Sequence, residues 1–525
     1  MDVRTSKAKV FVYSAVLLAL ALSRRGAAQD VDVPGNLTMH DSADPTVGNV
    51  LKEGVPFLHN FGTFNTFLGG GAGNFTMTGS NNTATGFDAL QSNTTGFNNT
   101  ASGSLVLGNN TTGNDNTASG AFALQSNTTG FNNTATGFEA LLNNTTAQAN
   151  TATGSGALLN NTTGYENTAT GAGALQSNTT GYWNTASGFE ALRNNTTGLL
   201  NTATGYQALQ NNTTGADNTA SGFQALGSNT TGGGNTASGV QALAFNTAGS
   251  SNTATGAGAL RFNFTGEFNT ASGAFALSQN TTGSFNTASG FQALLLNIAG
   301  RYNTASGYQA LYHNTGSNNV ASGAGALFSN TVGSQNTASG DSTLTTNTTG
   351  IRNTAIGANA DVAPGMGNLT NATAIGYAAV VDASNKIRLG NTDVTVIEGQ
   401  VPYTYTSDRN QKENFRSVDA EAVLTKLRGL SVNSWNYKGQ NAKQFRHYGP
   451  VAQDLFATFG HDEVGTIGTP TTITSGDLDG ILMLAAQALE KRTMEQETEI
   501  AQLKARLEAL ERTSCEGSAS VSEGL

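Results

Sequence analysis

The sequence has little of what most folded proteins use. Its 525 residues include one cysteine and seven prolines, and charged side chains make up only 11% of the chain. The single cysteine, Cys515, excludes a disulfide scaffold and a zinc cluster. An ordinary globular domain carries about 25% charged residues, whereas disordered chains are usually rich in charge and proline. The net charge of −10 leaves no basic footprint, so we expect no nucleic-acid partner.

Glycine is abundant instead, with 65 residues among many Asn, Thr, Ala and Ser. Collagen is excluded because glycine does not occupy every third position. Charge is divided unevenly, since residues 65–370 hold 13 charged side chains and the much shorter segment 401–512 holds 28. We therefore expect the low-charge part and the charged part to be separate domains with different tasks.

Residues 1–28 have the pattern of a secretory signal. Basic residues come first, an apolar run of 13 residues spans 10–22, and a cleavage site is expected between Ala28 and Gln29. The run is short for a membrane span, which needs about 20 residues, although an uncleaved signal anchor is the alternative. We expect a secreted or surface protein with no membrane segment in the mature chain.

A 17-residue repeat fills the predicted domain 65–376. Asn-Thr-Ala-Thr/Ser-Gly starts at Asn82 and returns every 17 residues through Asn303, and diverged or shifted copies bring the total to 18. The full unit is N-T-A-[TS]-G-x-x-A-L-x-x-N-T-T-G-x-x. It is too short for two helices, and Gly, Asn and Thr are poor helix formers. The two short strand-like segments of a unit are Thr-Ala-Thr-Gly and Ala89-Leu90 or its equivalent, with a turn after each. Stacked units of this kind predict a parallel β-solenoid, so the expected fold class is mainly β.

Stacking explains the composition of the repeat. Neighbouring coils of a solenoid lie about 4.8 Å apart, so a charge in the unit would face its own copy and be repelled. Asn side chains instead hydrogen-bond along the axis as ladders. One Leu per coil gives a thin core, and we therefore expect several chains to pack side by side. Aromatic residues after the first glycine either supply that contact or pack inside the coil: Phe87, Phe138, Phe189, Tyr206, Phe223, Phe291 and Tyr308.

Three binding hypotheses for the repeat rest on its residue types. A calcium-binding solenoid needs an Asp in each Gly-rich turn, and Asp is rare here, so we reject it. The Thr-x-Thr/Ser array, as at Thr83 and Thr85, suits either an ice-binding face or ordinary strand alternation. The Asn-Thr-Thr and Asn-Asn-Thr triplets are formal glycosylation sequons. In a eukaryotic secretory pathway some would be modified, for example Asn93, Asn110 or Asn127.

The repeat resembles the head repeats of trimeric autotransporter adhesins and of related phage fibres. The shared feature is a pattern of small residues that is clearest at 354–357 and 373–376. The resemblance implies a trimeric left-handed β-roll. It also implies a homotrimer with a cell-surface or glycan receptor as its partner.

Caps are expected at both ends of a solenoid, because each end exposes apolar surface and open hydrogen-bonding groups. Residues 29–64 precede the repeat, and residues 377–406 follow it as a predicted neck. Within the neck, segments 385–391 and 394–399 alternate in the manner of strands.

The charged segment opens with the run SDRNQKEN at 407–414. A helical pattern follows over 419–430, then a strand-like VNSWNY at 432–437 and the run GPVAQD at 449–454. That order resembles the endosialidase-type intramolecular chaperone, a self-cleaving C-terminal peptidase domain of phage tail spikes and related proteins. The resemblance implies a small α+β domain over 407–480 that brings three chains together.

The same resemblance implies a catalytic dyad. In that family a Ser and a Lys five residues later cleave the chain just before the Ser, which corresponds here to Ser407, Lys412 and a cut after Thr406. A Ser hydroxyl is a weak nucleophile that needs a base, and Lys can serve where a partly buried site favours its neutral amine. Asp408 either orients the site or caps the following helix. His447 is a candidate third member, with a structural role as the alternative.

Residues 481–512 show heptads that predict a coiled coil, and 513–525 form a tail. The predicted seam consists of Ala486, Thr493, Ile500 and Leu507 at one position, and of Leu482, Leu489, Gln496, Leu503 and Leu510 at the other. Thr493 and Gln496 place a polar layer in the seam, which costs stability but can fix register. The alternative is a single amphipathic helix that packs on its own domain.

Two hypotheses about function follow. In the first, a secreted or surface fibrous protein carries a trimerising chaperone that aligns three chains and then cuts itself off before Ser407, as a single-turnover serine peptidase. Alignment needs help because a repeated strand can slip in register at little cost. In the second, the chain stays uncleaved as a surface adhesin, and the domain is a permanent trimer clamp. The solenoid has no clustered His, Asp or Glu, so we expect no external substrate, no metal and no cofactor.

Overall fold

The computed structural model describes two compact units, Met1–Ile397 and Glu398–Leu525. Within them, the described residues are 41–45, 47–394, 396–398, 400, 407–438, 440–462 and 465–519. The predicted signal with Ala28 and Gln29 lies outside these residues, and so does Thr406.

The first unit opens with an antiparallel hairpin. Strands β1 (Val50–Lys52) and β2 (Val55–His59) pair with each other, and β2 also pairs antiparallel with β3 (Thr66–Leu68). The hairpin therefore covers the first edge of the solenoid sheet, whose N–H and C=O groups would otherwise lack partners.

Each repeat from β3 onward contributes one three-residue strand to a parallel sheet in unbroken register, so the predicted β-solenoid is confirmed. Strands β4 to β20 follow at Thr83–Thr85, Thr100–Ser102, Thr117–Ser119, Thr134–Thr136, Thr151–Thr153, Thr168–Thr170, Thr185–Ser187, Thr202–Thr204, Thr219–Ser221, Thr236–Ser238, Thr253–Thr255, Thr270–Ser272, Thr287–Ser289, Thr304–Ser306, Val320–Ser322, Thr337–Ser339 and Thr354–Ile356.

Two buried ladders of asparagine run along the axis, which confirms the predicted ladder and doubles it. In the first, Asn201 Nδ2 donates to Asn184 Oδ1 at 3.2 Å and to Gly215 O at 2.9 Å. Asn201 Oδ1 in turn accepts from the backbone N and from Nδ2 of Asn218, both at 3.1 Å. The second ladder passes through Asn212, whose Nδ2 donates to the previous coil and to the same Gly215 oxygen. Each amide thus ties two coils together.

The predicted second strand of the coil, Ala89-Leu90 and its equivalents, is wrong for the 17-residue units. Leu90 has φ 55° and Asp88 has φ 51°, so the segment turns where an extended strand would run straight. The backbone N–H of Leu90 still bonds to the next coil, at 3.1 Å from Val106 O. The left-handed conformation is costly for a bulky residue, and it is held here by that bond and by full burial of the side chain.

The core is as thin as the sequence predicts. In a typical coil Ala203, Ala208 and Leu209 are fully buried. Gly205 turns the chain at φ 127°, and a Cβ at that position would lie 2.7 Å from the Gly222 oxygen of the next coil. Glycine is therefore obligatory at this corner of the coil.

The sheet continues beyond the eighteenth repeat. Strands β22 (Thr373–Ile375) and β24 (Ile387–Leu389) extend it in parallel, and β21 (Asp361–Val362) pairs with β23 (Val380–Val381) as a second small sheet. Among the described residues, the second face forms strands in these two segments alone. Asp361 and Val380 stand there at the position of the left-handed leucine, and neither has a positive φ.

The two strand-like segments of the neck have different outcomes. The first, 385–391, contains β24 and is confirmed as a strand. The second, 394–399, is wrong as a strand, because its described residues 394 and 396–398 form none. An isolated extended segment gains no ladder hydrogen bonds unless a neighbouring strand accepts it.

The second unit is a small α+β region. Its elements are α1 (Ala420–Arg428), β25 (Asn433–Trp435), β26 (His447–Gly449), α2 (Ala452–Phe459) and α3 (Ser475–Ala519). Asp419 caps α1 by accepting from the backbone N–H groups of Glu421 and Ala422. The buried cluster joins Val423 of α1 to α2 and to Ile481 near the start of α3.

One prediction concerns the first asparagine ladder. Asn201→Ala removes four side-chain hydrogen bonds and leaves the buried backbone N–H of Asn218 without its partner. We expect a loss of about 2–4 kcal/mol in the free energy of unfolding, because each buried unsatisfied group costs about 1–3 kcal/mol. Chemical denaturation measures it.

Asn114→Ala is the matched control, because the Asn114 side chain is only partly buried and makes no hydrogen bond among the described residues. We expect it to change stability by less than about 0.5 kcal/mol. Equal effects of the two substitutions would show that the ladder carries no stability.

The N-terminal hairpin contains a buried histidine. His59 Nε2 lies 2.7 Å from Ala72 O, so it donates, and the ring packs between Phe67 and Phe75. Nδ1 is buried and has no hydrogen-bond partner among the described residues. Burial lowers the pKa of His59 below its ordinary 6.5, because a proton on Nδ1 would be left unpaired.

Acid should therefore loosen the hairpin. As pH falls below about 6.5 the unfolded His59 binds a proton that the folded form resists, so stability is lost from there downward. We expect limited proteolysis within 50–64 to be faster at pH 5 than at pH 7. His59→Met has no titrating group at this position, so the ratio of its cleavage rates at pH 5 and pH 7 should equal the ratio at unrelated cleavage sites. If the variant is instead accelerated at pH 5 as much as the wild type, the role of His59 is contradicted.

Candidate functional site

The sequence-predicted pair meets at the start of the second unit. A single 3₁₀ turn, Arg409–Gln411, reverses the chain so that the side chains of Ser407 and Lys412 come together. Lys412 Nζ lies 2.7 Å from Ser407 Oγ, within hydrogen-bond distance. Both side chains are exposed in the single chain. The geometry suits a base beside a nucleophile.

Asp408 is the N-cap of that turn. Its Oδ1 accepts from the backbone N of Asn410 at 2.9 Å, so of its two predicted roles the structure displays capping. Arg409 places its guanidinium over the ring of Phe415, 5.1 Å from the centroid. These contacts fix the short turn that sets the distance between Ser407 and Lys412.

His447 lies in an aromatic cluster on the β25–β26 hairpin. Its ring stacks on Trp435 with centroids 4.7 Å apart and meets Tyr437 edge-on at 5.7 Å. No hydrogen bond joins it to Ser407 or Lys412. Trp435 Nε1 and His447 Nε2 are both buried without a hydrogen-bond partner among the described residues.

Helix α3 has two different faces. Near its start Ile481, Ala485 and Ala488 are buried against α1 and α2, and Arg492 binds Glu421 of α1 with a shortest N–O distance of 2.6 Å. That pairing raises the pKa of Arg492 through its hydrogen bonds to Glu421. The apolar members of the predicted seam are exposed: Leu482 49%, Leu489 53%, Ile500 49%, Leu503 54%, Leu507 57% and Leu510 67%.

Residues 407–462 carry the motifs, the paired side chains and the hairpin described above. This segment matches the family model described as chaperone of endosialidase. No curated protein matches the chain. A β-solenoid followed by this chaperone domain is the arrangement of a fibrous, phage-tail-like protein, so the resemblance inferred from the sequence is confirmed for 407–462.

No helix in the described part of the chain has the length and apolarity to cross a membrane. Nor do three or more His, Cys, Asp or Glu side chains come together there in a way that would hold a metal ion.

The folded solenoid excludes glycosylation at the three sequons named in the sequence analysis. Asn93, Asn110 and Asn127 are fully buried in the second ladder. The Nδ2 groups of Asn110 and Asn127 each donate two hydrogen bonds. A glycan replaces one of those hydrogens with a bulky group, so the hypothesis that these three asparagines are modified is wrong for the folded solenoid.

The threonine array lies on the exposed strand face. From β4 to β19 the central alanine of each strand is buried and both of its neighbours are exposed. The outer row, however, carries Ser at ten of the sixteen positions from 85 to 339, and Ser lacks the methyl group that fixes the threonine rotamer. Ice binding stays a hypothesis that rests on this face alone.

The aromatic residues after the first glycine lie on the surface of the solenoid. Phe189, Tyr206 and Phe223 are each about half exposed, so packing inside the coil, one of the two predicted alternatives, is wrong. They stack on one another along the axis.

Sequence reasoning missed the polar network beside these rings. Glu190 Oε1 and Oε2 accept from Arg193, Gln207 and Gln210. A signal was present, because each of the seven aromatic residues at this position is followed by Asp, Glu or Gln.

Proposed function

We propose that this chain is an exported fibrous protein whose chaperone domain assembles three copies, aligns their solenoids and then cuts itself off between Thr406 and Ser407. The 2.7 Å contact between Lys412 Nζ and Ser407 Oγ is the observation that carries the cleavage step. Chaperone-of-endosialidase domains are associated with trimeric fibres, which supports the assembly step.

The chemistry begins with Ser407 Oγ attacking the carbonyl carbon of Thr406. Lys412, as a neutral amine, takes the hydroxyl proton and passes it to the departing backbone nitrogen of Ser407. The Thr406–Ser407 peptide bond breaks and an ester forms between the Thr406 acyl group and Oγ. Water then hydrolyses the ester, giving a carboxylate at Thr406 and a fragment that begins at Ser407.

Exposure of the dyad suggests when this happens. A lysine acts as a base only in its neutral form, which burial favours, and Lys412 is exposed in the single chain. Neighbouring copies that enclose the amine would supply the burial. Cleavage would then follow assembly, so that the domain leaves only after its alignment task is complete.

Helix α3 offers the surface for that assembly. Its seam leucines stay exposed over 489–510, while its opposite face is buried within the domain up to Ala488 and is paired with α1 through Arg492. Helices with such an apolar seam and charged flanks associate as coiled coils. The proposal includes a chaperone domain over residues 407–480 and a coiled coil over residues 481–512.

The cleavage step predicts a fragment that starts at Ser407, measured by mass spectrometry of the assembled wild-type protein. Ser407→Ala lacks the nucleophile and Lys412→Ala lacks the base, so both should stay full length. Lys412→Arg keeps the charge and the reach but holds its proton, and it should also stay full length. Lys438→Ala, away from the pair, should be cleaved normally.

Intact wild-type protein after assembly would contradict self-cleavage and would favour an uncleaved surface adhesin with a permanent trimer clamp. A fragment from Lys412→Arg would remove Lys412 from the role of base.

The assembly step predicts that Leu503→Asp with Leu510→Asp makes the protein monomeric and uncleaved, because charges replace two seam leucines. Light scattering after size exclusion gives the mass, and electrophoresis gives the cleavage. Gln502→Asp with Ala509→Asp adds the same charges off the seam and should remain trimeric and cleaved. Efficient cleavage of the monomeric variant would contradict the dependence of cleavage on assembly.

A further inference from the structure

A strip of aromatic and amide side chains runs along three consecutive coils of the solenoid. Its rings are Phe189, Tyr206 and Phe223, with centroids 5.3 Å apart at each step and planes within 14°. Ring planes in van der Waals contact lie closer than this, so the rings are offset and each leaves part of its face uncovered. Their exposures are 46%, 45% and 44%. We call these rings and the polar row beside them the aromatic–amide strip.

The polar row is a directed chain of hydrogen bonds. Gln241 Nε2 donates to Gln224 Oε1 at 3.2 Å, and Gln224 Nε2 donates to Gln207 Oε1 at 3.1 Å. Gln207 Nε2 then donates to Glu190 Oε2 at 2.9 Å. Each amide is thus held in one orientation, and one N–H of each makes no hydrogen bond among the described residues.

Glu190 anchors the chain. Its side chain is only 16% exposed and also accepts from Arg193 at 2.6 Å and from Gln210 at 2.7 Å. Arg193 neutralises the carboxylate, and the other members of the strip are uncharged. The strip therefore presents preorganised donors and acceptors without net charge.

A second aromatic stack on the same solenoid shows that the amide row is not needed for stacking. Phe268, Phe285 and Tyr302 stack at 5.1 and 5.0 Å with exposures of 51%, 44% and 55%. No glutamine row accompanies them. The pairing of rings with oriented amides extends over three coils in the strip, and it recurs over two coils at Phe291 and Tyr308, beside the bond from Gln309 Nε2 to Gln292 Oε1.

We propose that the aromatic–amide strip binds an uncharged linear polysaccharide that lies along the solenoid axis. The C–H faces of sugar rings pack on the exposed parts of the aromatic rings, and sugar hydroxyls pair with the free N–H groups and the remaining carbonyl lone pairs of the glutamines. A repeating ligand meets the same pair of groups in each coil. The inference gives a site and a chemical class to the glycan receptor expected from the sequence. It does not depend on self-cleavage, because the strip lies within one chain.

Affinity electrophoresis of the full chain through gels that contain laminarin, galactomannan or dextran tests the proposal, with dextran sulfate as the charged comparison. We expect at least one neutral polysaccharide to retard the wild type more than dextran sulfate does. Tyr206→Ala with Phe223→Ala should weaken that retardation at least tenfold, and so should Gln207→Leu with Gln224→Leu. Phe285→Ala with Tyr302→Ala, in the second stack, should bind like the wild type.

The proposal is overturned if no neutral polysaccharide retards the protein, if dextran sulfate is preferred, or if both strip variants bind like the wild type. Thermal melting identifies any variant that fails to fold, and the glutamine variant decides should the aromatic variant unfold. Uncleaved Ser407→Ala protein is run beside the wild type, and equal retardation of the two separates failure of this inference from failure of self-cleavage.

Discussion

In-register stacking of identical coils is the constraint on which the solenoid depends. Every residue faces its counterpart in the next coil at strand spacing, about 4.8 Å, where two like charges repel by about 3–4 kcal/mol at an effective dielectric constant of 20. The 13 charged residues of 65–370 obey this limit, because none has a like charge at the same position of a neighbouring coil. Asparagine satisfies the constraint best, because its amide donates on one side and accepts on the other. The two ladders convert what would be repulsion into a continuous set of buried hydrogen bonds.

The same constraint decides how much of the molecule could be predicted from the sequence. The 17-residue period and the residue types suffice for coils, ladders and a thin Leu core, because each follows from stacking alone. The conformation of the core leucine could not be predicted, because a positive φ is rare for a bulky side chain, whereas Leu209 adopts φ 51°. Its backbone N–H must reach Ala225 O of the next coil, at 3.0 Å, while its side chain fills the interior. Tertiary bonds override local preference there.

The candidate site divides in a similar way. Motif order was enough to identify the chaperone domain and to name Ser407 and Lys412. Their 2.7 Å separation depends on the 3₁₀ turn that Asp408 caps, and neither alternative proposed for Asp408 could be chosen from sequence. Likewise, seven aromatic residues were visible as a row, but the orientation of the glutamines depends on Glu190 and on bonds between residues 17 positions apart. Such side-chain hydrogen bonds depend on how neighbouring coils stack in space, and the repeated sequence alone does not predict them.

Near-identical repeats make stacking favourable, but for the same reason they do not specify which coil pairs with which. Register must therefore reside where the pattern breaks. The hairpin β1–β2 pairs antiparallel with β3 and so occupies the edge of the first coil. The coil that begins at Asn303 is one residue short, and there Asn319 Nδ2 donates across to Asn314 Oδ1 of the other ladder. These exceptions fix the stacking within one chain, but they do not align separate chains. In the assembly proposed above, that second task falls to the chaperone domain, whose α3 helix exposes a row of leucines among the described residues.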